Sequence, residues 1–214
     1  MTARSARLVA SAAGVEGLPR PGAPEIAFLG RSNAGKSSLL NRLAGRRELA
    51  RVSGTPGKTR LLHFYEVARG PRAVLLVDLP GYGWARVSRQ ERARWRGLVE
   101  GYLEGRRPLR AAVLIQDLRR EVSDDERELL EWLAARGIPA IAALTKCDKL
   151  APTRRADRAR ALARELGLPA ARVIATSARS GLGIDALWKA IDGLLAPSPP
   201  RPMEPRAPEP DLDV

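Results

Sequence analysis

Cysteine and histidine are almost missing from this 214-residue chain, where Cys147 and His63 each stand alone. One cysteine excludes an internal disulfide, and the pair cannot build a zinc site of clustered Cys or His ligands. Long apolar runs are missing too. No stretch of 18 apolar residues occurs, so no spanning helix is expected. Met1 to Pro24 carries Arg4, Arg7 and small residues but no continuous apolar core, so it does not read as a secretory signal. No amphipathic segment with aromatic anchors is evident, which counts against a protein lying on a membrane. Together these absences describe a reducing, cytoplasmic protein. Acidic residues are short in number as well: 24 Asp+Glu face 37 Lys+Arg, a formal net charge of +13. Such a surface attracts polyanions, either nucleic acid or an anionic membrane. A GC-rich genome would explain Arg in place of Lys, but not the excess of basic over acidic residues.

What is present is enough for one packed domain. The chain is 44% hydrophobic, and a second full domain would be cramped. Residues 1–24 read as a flexible leader with room for one edge strand near Ala6-Arg7-Leu8-Val9. The body runs over 25–196. The proline-rich stretch 197–214 cannot continue a helix or enter a sheet interior, so it is expected to be disordered. No internal repeat occurs. Within the body, strand-like runs at Ile26–Gly30, Leu61–Val67, Ala73–Asp78, Ala111–Asp117, Pro139–Thr145 and Val173–Thr176 alternate with helical patterns. Helices are expected after the first strand from Ser38, then over Ser88–Arg106, from Ser123, over Arg154–Leu166 and over Leu182–Leu195. Ser88 with Glu91, and Ser123 with Glu126, have capping-box spacing. Near-continuous apolar strands separated by helices predict a mostly parallel six-stranded sheet covered on both faces, a three-layer α/β fold.

The most informative segment is Gly30-Arg31-Ser32-Asn33-Ala34-Gly35-Lys36-Ser37, which fits G-x-x-x-x-G-K-[ST] at every fixed position. Such a loop cradles a di- or triphosphate in backbone N–H groups. Lys36 is placed to reach β- and γ-phosphate oxygens, and the Ser37 hydroxyl to hold Mg²⁺. A strand enters the loop and a helix leaves it, so the helix N-terminus also faces the phosphates.

Other segments choose the nucleotide. Asp78-Leu79-Pro80-Gly81 follows a buried strand and has the form D-x-x-G. Asp78 would hold Mg²⁺ through water, and the Gly81 N–H would sense a γ-phosphate. Thr145-Lys146-Cys147-Asp148 ends a strand and has the form [NT]-K-x-D. A carboxylate at Asp148 accepts both N1–H and N2–H of guanine, and adenine offers no such donor pair. The Lys146 stem would lie over the base. Thr176-Ser177-Ala178, after the last strand, suits a loop whose N–H meets guanine O6. Between the first two motifs lies Thr55-Pro56-Gly57-Lys58-Thr59-Arg60, followed by Leu61. A threonine here would complete the Mg²⁺ shell and close over the γ-phosphate. Thr59, directly before the second strand, is preferred to Thr55. Gly57, Lys58, Thr59, Arg60 and Leu61 are accordingly assigned to the nucleotide.

Read together, Gly30–Asn41, Thr55–Thr59, Asp78–Gly83 and Thr145–Lys149 resemble the EngB (YihA/YsxC) family of bacterial ribosome-assembly GTPases. Order and spacing match from about Glu25 to Leu195, and T-P-G-K-T and D-L-P-G-Y-G are the specific segments. The resemblance implies a Ras-like P-loop GTPase fold, GTP and GDP binding, Mg²⁺ and slow hydrolysis. It also implies a part in maturing the large ribosomal subunit and, more loosely, in division-site placement or septation. Trp84 departs from the Tyr or Phe usual after D-L-P-G-Y-G, and the proline-rich tail is extra to the family core.

Ras-like enzymes orient the attacking water with a glutamine after the D-x-x-G glycine. Tyr82 stands there and has no amide, so another group or a partner must position the water. Asn33 has two readings: a side chain that helps hold K⁺ beside the phosphates, or one that stabilises the turn. Lys36, Thr59, Gly81 and Asn33 are therefore the candidate catalytic residues, and Ser37, Thr59 and Asp78 the candidate metal ligands. Arg86, Arg89, Arg92, Arg94 and Arg96 crowd the helix start after D-L-P-G-Y-G, where Trp84 could stack on an RNA base. A solvated helix face with Trp84 packed locally is the alternative. The expected partner is the large ribosomal subunit or its precursor, through rRNA, with no DNA, no membrane and a monomeric chain. A GTP-dependent scaffold in division or at the membrane is a second possibility. A small-molecule P-loop kinase is a third, but the sequence has no obvious lid and Asp148 would go unexplained.

Overall fold

The computed structural model describes residues 5–50, 61–82 and 89–195, with the side chains of 89–95 left aside. Seven strands form one sheet: β1 (Ser5–Ala12), β2 (Glu25–Gly30), β3 (Leu62–Arg69), β4 (Arg72–Asp78), β5 (Leu109–Asp117), β6 (Ala140–Thr145) and β7 (Val173–Ala175). Five helices accompany them: α1 (Lys36–Leu43), α2 (Arg89–Gly105), α3 (Asp124–Ala135), α4 (Pro152–Glu165) and α5 (Ile184–Leu195). The spatial order is β1-β3-β4-β2-β5-β6-β7. β4, β2, β5, β6 and β7 pair in parallel, while β1 on β3 and β3 on β4 are antiparallel.

The sheet thus has seven strands, not the six expected from the sequence. The seventh is β1, which contains the edge strand allowed for near Ala6-Arg7-Leu8-Val9 within the expected leader. It pairs with β3 from Ser5↔Ala68 to Ala12↔Leu62, with a register shift between Leu8 and Ala10. Its Ser11 hydroxyl also lies 2.8 Å from His63 Nδ1. Only Ala12 of β1 is buried, so no apolar alternation marks the strand. Its order comes from edge pairing rather than from core packing.

The central strands are legible for the opposite reason. All six residues of β2 and all six of β6 are buried, as expected for parallel strands covered on both faces. Their side chains alternate between two cores. Ile26, Phe28, Val113 and Ile115 pack with Leu39, Leu40 and Leu43 of α1 and with Leu187, Trp188 and Ile191 of α5. Ala27, Leu29, Ala112 and Leu114 pack with Val99, Tyr102 and Leu103 of α2, Leu130 and Leu133 of α3 and Leu162 of α4. α1 therefore leaves β2 toward one face, while α2, which follows β4, lies on the other. Neighbouring strands whose connections part to opposite faces leave a crevice at their carboxyl ends, where ligands of such sheets bind. The opposite end is closed by a buried cluster. Glu25 accepts from Tyr102 Oη at 2.9 Å and from Arg106 Nη2 at 2.7 Å, which ties the end of α2 to β2.

Candidate nucleotide-binding site

The phosphate loop joins β2 to α1 as a tight turn. Asn33 (φ 65°) and Gly35 (φ 101°) adopt the left-handed backbone, and Gly35 caps α1. Gly30 serves close approach rather than turning. A Cβ there would lie 2.7 Å from Ile115 O and 2.8 Å from Ile115 Cβ, so only glycine lets the loop start this near β5. Ser37 sits in the first turn of α1, beside the positive end of the helix dipole.

D-x-x-G is fastened along this loop by backbone bonds. Leu79 N–H donates to Phe28 O (3.1 Å), Tyr82 N–H to Gly30 O (3.3 Å) and Ser32 N–H to Tyr82 O (3.1 Å). The β2–β4 pairing thus continues beyond both strands, with an isolated bridge between Arg31 and Tyr82. Gly81 is packed tightly there: a Cβ would lie 3.2 Å from both Gly30 O and Ser32 Oγ. Asp78, buried at the end of β4, forms an ion pair with Lys36 Nζ. The phosphate-loop lysine and the candidate metal carboxylate therefore share one place. A buried carboxylate that takes a cation, with the Ser37 hydroxyl in the next residue to Lys36, is a hard-oxygen set that fits Mg²⁺. Among the described residues, no group of three or more His, Cys, Asp or Glu gathers to hold a metal.

Tyr82 does not stand where a water-orienting side chain would. It is buried in the core shared with α2 and α3. Burial first, and then the neighbouring Glu126 carboxylate, push its hydroxyl well above the ordinary tyrosine range. Glu126 is itself fully buried and accepts the Ser123 N–H at 2.8 Å, the expected capping box of α3. The D-x-x-G segment is thus anchored sideways on the start of α3.

The base-side motif is held by side chains. Thr145, ending β6, shares its single Oγ1–H between Ala34 O of the phosphate loop and Gln116 O at 3.2 Å. Lys146 has a left-handed backbone (φ 59°), and its Nζ donates to Asn33 O at 2.7 Å. Such a conformation costs on the order of 1–3 kcal/mol for a residue other than glycine, and it collects at functional sites. Cys147 turns its thiol into the core, and burial pushes the thiol pKa up, keeping it protonated. Its N–H meets Thr176 O at 3.1 Å. Asp148 accepts Ser177 Oγ at 2.7 Å, and that hydrogen bond is the main reason its carboxyl sits below the ordinary value. Thr176 and Ser177 are fully buried, and Ala178 follows half-buried. Gly30 to Ser37, Asp78 to Gly81, Thr145 to Asp148 and Thr176 to Ala178 thus come together at the carboxyl edge of the sheet. Leu61 precedes β3. Thr55, Gly57, Lys58, Thr59 and Arg60 lie outside the described residues, as do Trp84, Arg86 and the proline-rich tail.

The sequence missed two parts of the site. Asp117, ending β5, takes Arg119 as a fork: Nε to Oδ1 at 3.0 Å and Nη2 to Oδ2 at 2.8 Å. Lys146 Nζ lies 3.1 Å from the same Oδ2. An acid at the end of a buried strand, with an Arg two residues on, was the available signal. Asn41 was visible only as part of a longer pattern. Its side chain clamps Ala50, accepting the N–H at 2.6 Å and donating to the C=O at 2.8 Å.

Comparison with known proteins gives a consistent result. A family profile described as "50S ribosome-binding GTPase" matches residues 25–146. A "Probable GTP-binding protein EngB" of Gemmatimonas aurantiaca is 47% identical over 173 residues, covering 81% of this chain and 83% of that protein. Its namesake from Anaeromyxobacter sp. (strain K) is 45% identical over 201 residues, covering 91% and 93%. Among solved structures, that of a probable GTP-binding protein engB superposes with a TM-score of 0.63 at 27% identity, covering 80% of this chain and 98% of that one.

Proposed function

The chain belongs to the EngB family of GTP-binding proteins and is a GTPase; on that premise we propose that it acts as a slow nucleotide switch in assembly of the large ribosomal subunit. One observation carries the proposal. Gly81 and Tyr82, packed on the phosphate loop, run on in sequence to Arg86, Arg89, Arg92, Arg94 and Arg96. A loop that responds to the γ-phosphate is thereby continuous with a basic segment suited to RNA phosphates.

In the proposed cycle Lys36 holds the β- and γ-phosphate oxygens, and the loop N–H groups of Arg31 to Ser37 cradle the rest. Asp148 accepts the two guanine donors, with Ser177 fixing its orientation. Ser37, Asp78 (through water) and Thr59 hold Mg²⁺, and Gly81 N–H meets the γ-phosphate. Mg²⁺ held by these residues would supply neutralisation of the phosphate charge. Hydrolysis is slow without help, because Tyr82 has no amide and is turned inward. K⁺ held beside Asn33 is the proposed aid. The chain works as a cytoplasmic monomer without DNA or membrane partners and is needed for normal division. No helix among the described residues is long and apolar enough to cross a membrane.

Sedimentation with purified ribosomal subunits tests this. In a non-hydrolysable GTP analogue the protein should travel with the large subunit or its precursor, and in GDP it should be released. Log affinity should fall roughly linearly with log salt. Charge reversal at Arg89 and Arg92 should weaken the association and leave GTP affinity unchanged. Equal or absent binding in both nucleotides, at low and moderate salt, would reject the ribosomal role. Co-sedimentation with anionic vesicles instead would favour a membrane scaffold.

A further inference from the structure

Among the described residues only two other than glycine have a positive φ, Asn33 and Lys146. One hydrogen bond joins them, from Lys146 Nζ to Asn33 O. The two strained points, one on the phosphate loop and one in the base motif, are thus a single unit. Something must hold Lys146 in that unit, because a long, mobile ammonium side chain does not stay in one rotamer unaided.

The group facing Lys146 Nζ is Asp117, 3.1 Å away and 1% exposed. A carboxylate this deeply buried needs cations and donors around it. It has three: the Arg119 fork, the Arg119 N–H at 3.1 Å and Lys146. The loop beneath is fixed as well. Leu118 N–H donates to Thr145 O at 3.0 Å, and Thr145 Oγ1 donates back to Gln116 O. Residues 116–118 and 145–146 therefore grip one another from both sides. Burial alone would push the Asp117 pKa up, but the hydrogen bonds of Arg119 and Lys146 outweigh it and hold the carboxyl well below the usual carboxylate range. The charged form of Asp117 is thus the favoured one. Arg119, its side chain 45% exposed, is bound on the outer side and leaves Oδ2 shared with the lysine.

We infer that Asp117 is a positioning residue for the nucleobase: it fixes the Lys146 side chain, and with it the surface on which guanine packs. The inference rests on Thr145–Asp148 being the guanine site. It gives the end of β5 a part in nucleotide affinity that the four-residue motif does not contain. Asp117 touches no phosphate and acts through Lys146 alone, so its effect falls equally on GDP and GTP.

The test measures GDP, GTP and ADP binding, together with thermal unfolding of the nucleotide-free protein, for Asp117→Asn, Lys146→Met and the double variant. Asp117→Asn should weaken GDP and GTP alike by about tenfold, the size of one charged hydrogen bond. Preference over ADP should persist, since Asp148 is untouched. The double variant should bind no more weakly than Lys146→Met, because both changes remove one interaction. Unchanged affinity in Asp117→Asn, with or without a lower unfolding temperature, would overturn the inference, and so would additive losses. If Asp117→Asn does not fold, Arg119→Met replaces it. That variant keeps the Asp117–Lys146 bond, so GDP affinity should stay within about threefold of the wild type. A loss as large as that of Lys146→Met would overturn the assignment. Failure of the wild type to prefer GDP over ADP would instead reject the guanine site itself.

Discussion

The two ends of the site are built from different materials. At the phosphate end, backbone does the holding. Gly30 and Gly81 let chains approach to distances that a Cβ would block, and the bonds between residues 28–32 and 79–82 are main chain to main chain. At the base end, side chains do the holding. Asp148 is oriented by Ser177, Lys146 by Asp117 and Asn33, and Thr145 by two carbonyls. The difference follows from the ligands. A phosphate presents the same oxygens in every nucleotide, so a nest of N–H groups suffices. A base must be told from other bases, which takes a fixed carboxylate against a donor pair. The phosphate end should therefore fail when atoms are added, and the base end when charge is removed.

The largest expected effect is at the base end. Asp148→Asn removes the acceptor pair for guanine N1–H and N2–H and presents an amide suited to xanthine. GDP affinity should fall on the order of 100-fold or more, with binding of xanthosine nucleotides appearing in its place. Stability should change little, because Asp148 is half-buried and Ser177 can still donate to the amide oxygen. Competition against a labelled GDP by GTP, ATP and XTP reads the switch. Equal displacement by ATP and GTP in the wild type would remove guanine recognition from Asp148. The Asp148 carboxyl, held below its ordinary pKa by the Ser177 hydrogen bond, sets the sign of a pH dependence. Its charged form is favoured in the folded chain, so its contribution is complete above the ordinary carboxylate value of about 3.9. It is lost only as pH falls below that value, so GDP affinity should be flat from neutrality down to about pH 5.

Gly30→Ala should give the next largest effect, with the opposite character. The new Cβ meets the Ile115 carbonyl and Cβ, neither of them the end of a flexible side chain. β2 and β5 must part, at about 1–3 kcal/mol. Unfolding temperature and nucleotide affinity should fall together, and guanine should still be preferred over adenine. A variant with full stability and lost selectivity would break the division between the two ends.

That division also separates what could be read from the sequence. The phosphate loop is eight contiguous residues between a strand and a helix, so its spacing alone locates it. β2, β5 and β6 announce themselves because both faces are buried, and the capping box of α3 joins residues only three apart. Side-chain contacts across the sheet leave no such trace. Arg106 is 81 residues from Glu25, and Lys146 lies 29 residues beyond Asp117. Nothing local to either acid declares its partner. β1 was legible only as room for an edge strand near Ala6–Val9, and its full length depends on an edge that β3 supplies. Tyr82 was read by its position after D-x-x-G, as a missing glutamine. Its burial beside Glu126 depends on a helix that begins 42 residues further along the chain.

The smallest predicted effect lies at Asn33, where the two ends meet. Its backbone is left-handed and its carbonyl holds Lys146, which by itself accounts for an asparagine in a turn. Its side chain is what the K⁺ proposal needs. Asn33→Gly separates the two, because glycine keeps the backbone conformation and the carbonyl but removes the side-chain oxygen. Hydrolysis by the wild type should run faster in K⁺ than in Na⁺ at equal ionic strength. The gain should be about tenfold or less, equivalent to about 1.4 kcal/mol of barrier. In Asn33→Gly that ratio should fall to one while GDP affinity and the unfolding temperature stay close to the wild type. A wild-type rate identical in the two salts would leave Asn33 as a turn residue and the hydrolytic aid to a partner. A ratio that survives Asn33→Gly would keep the ion and move its ligand elsewhere on the phosphate loop.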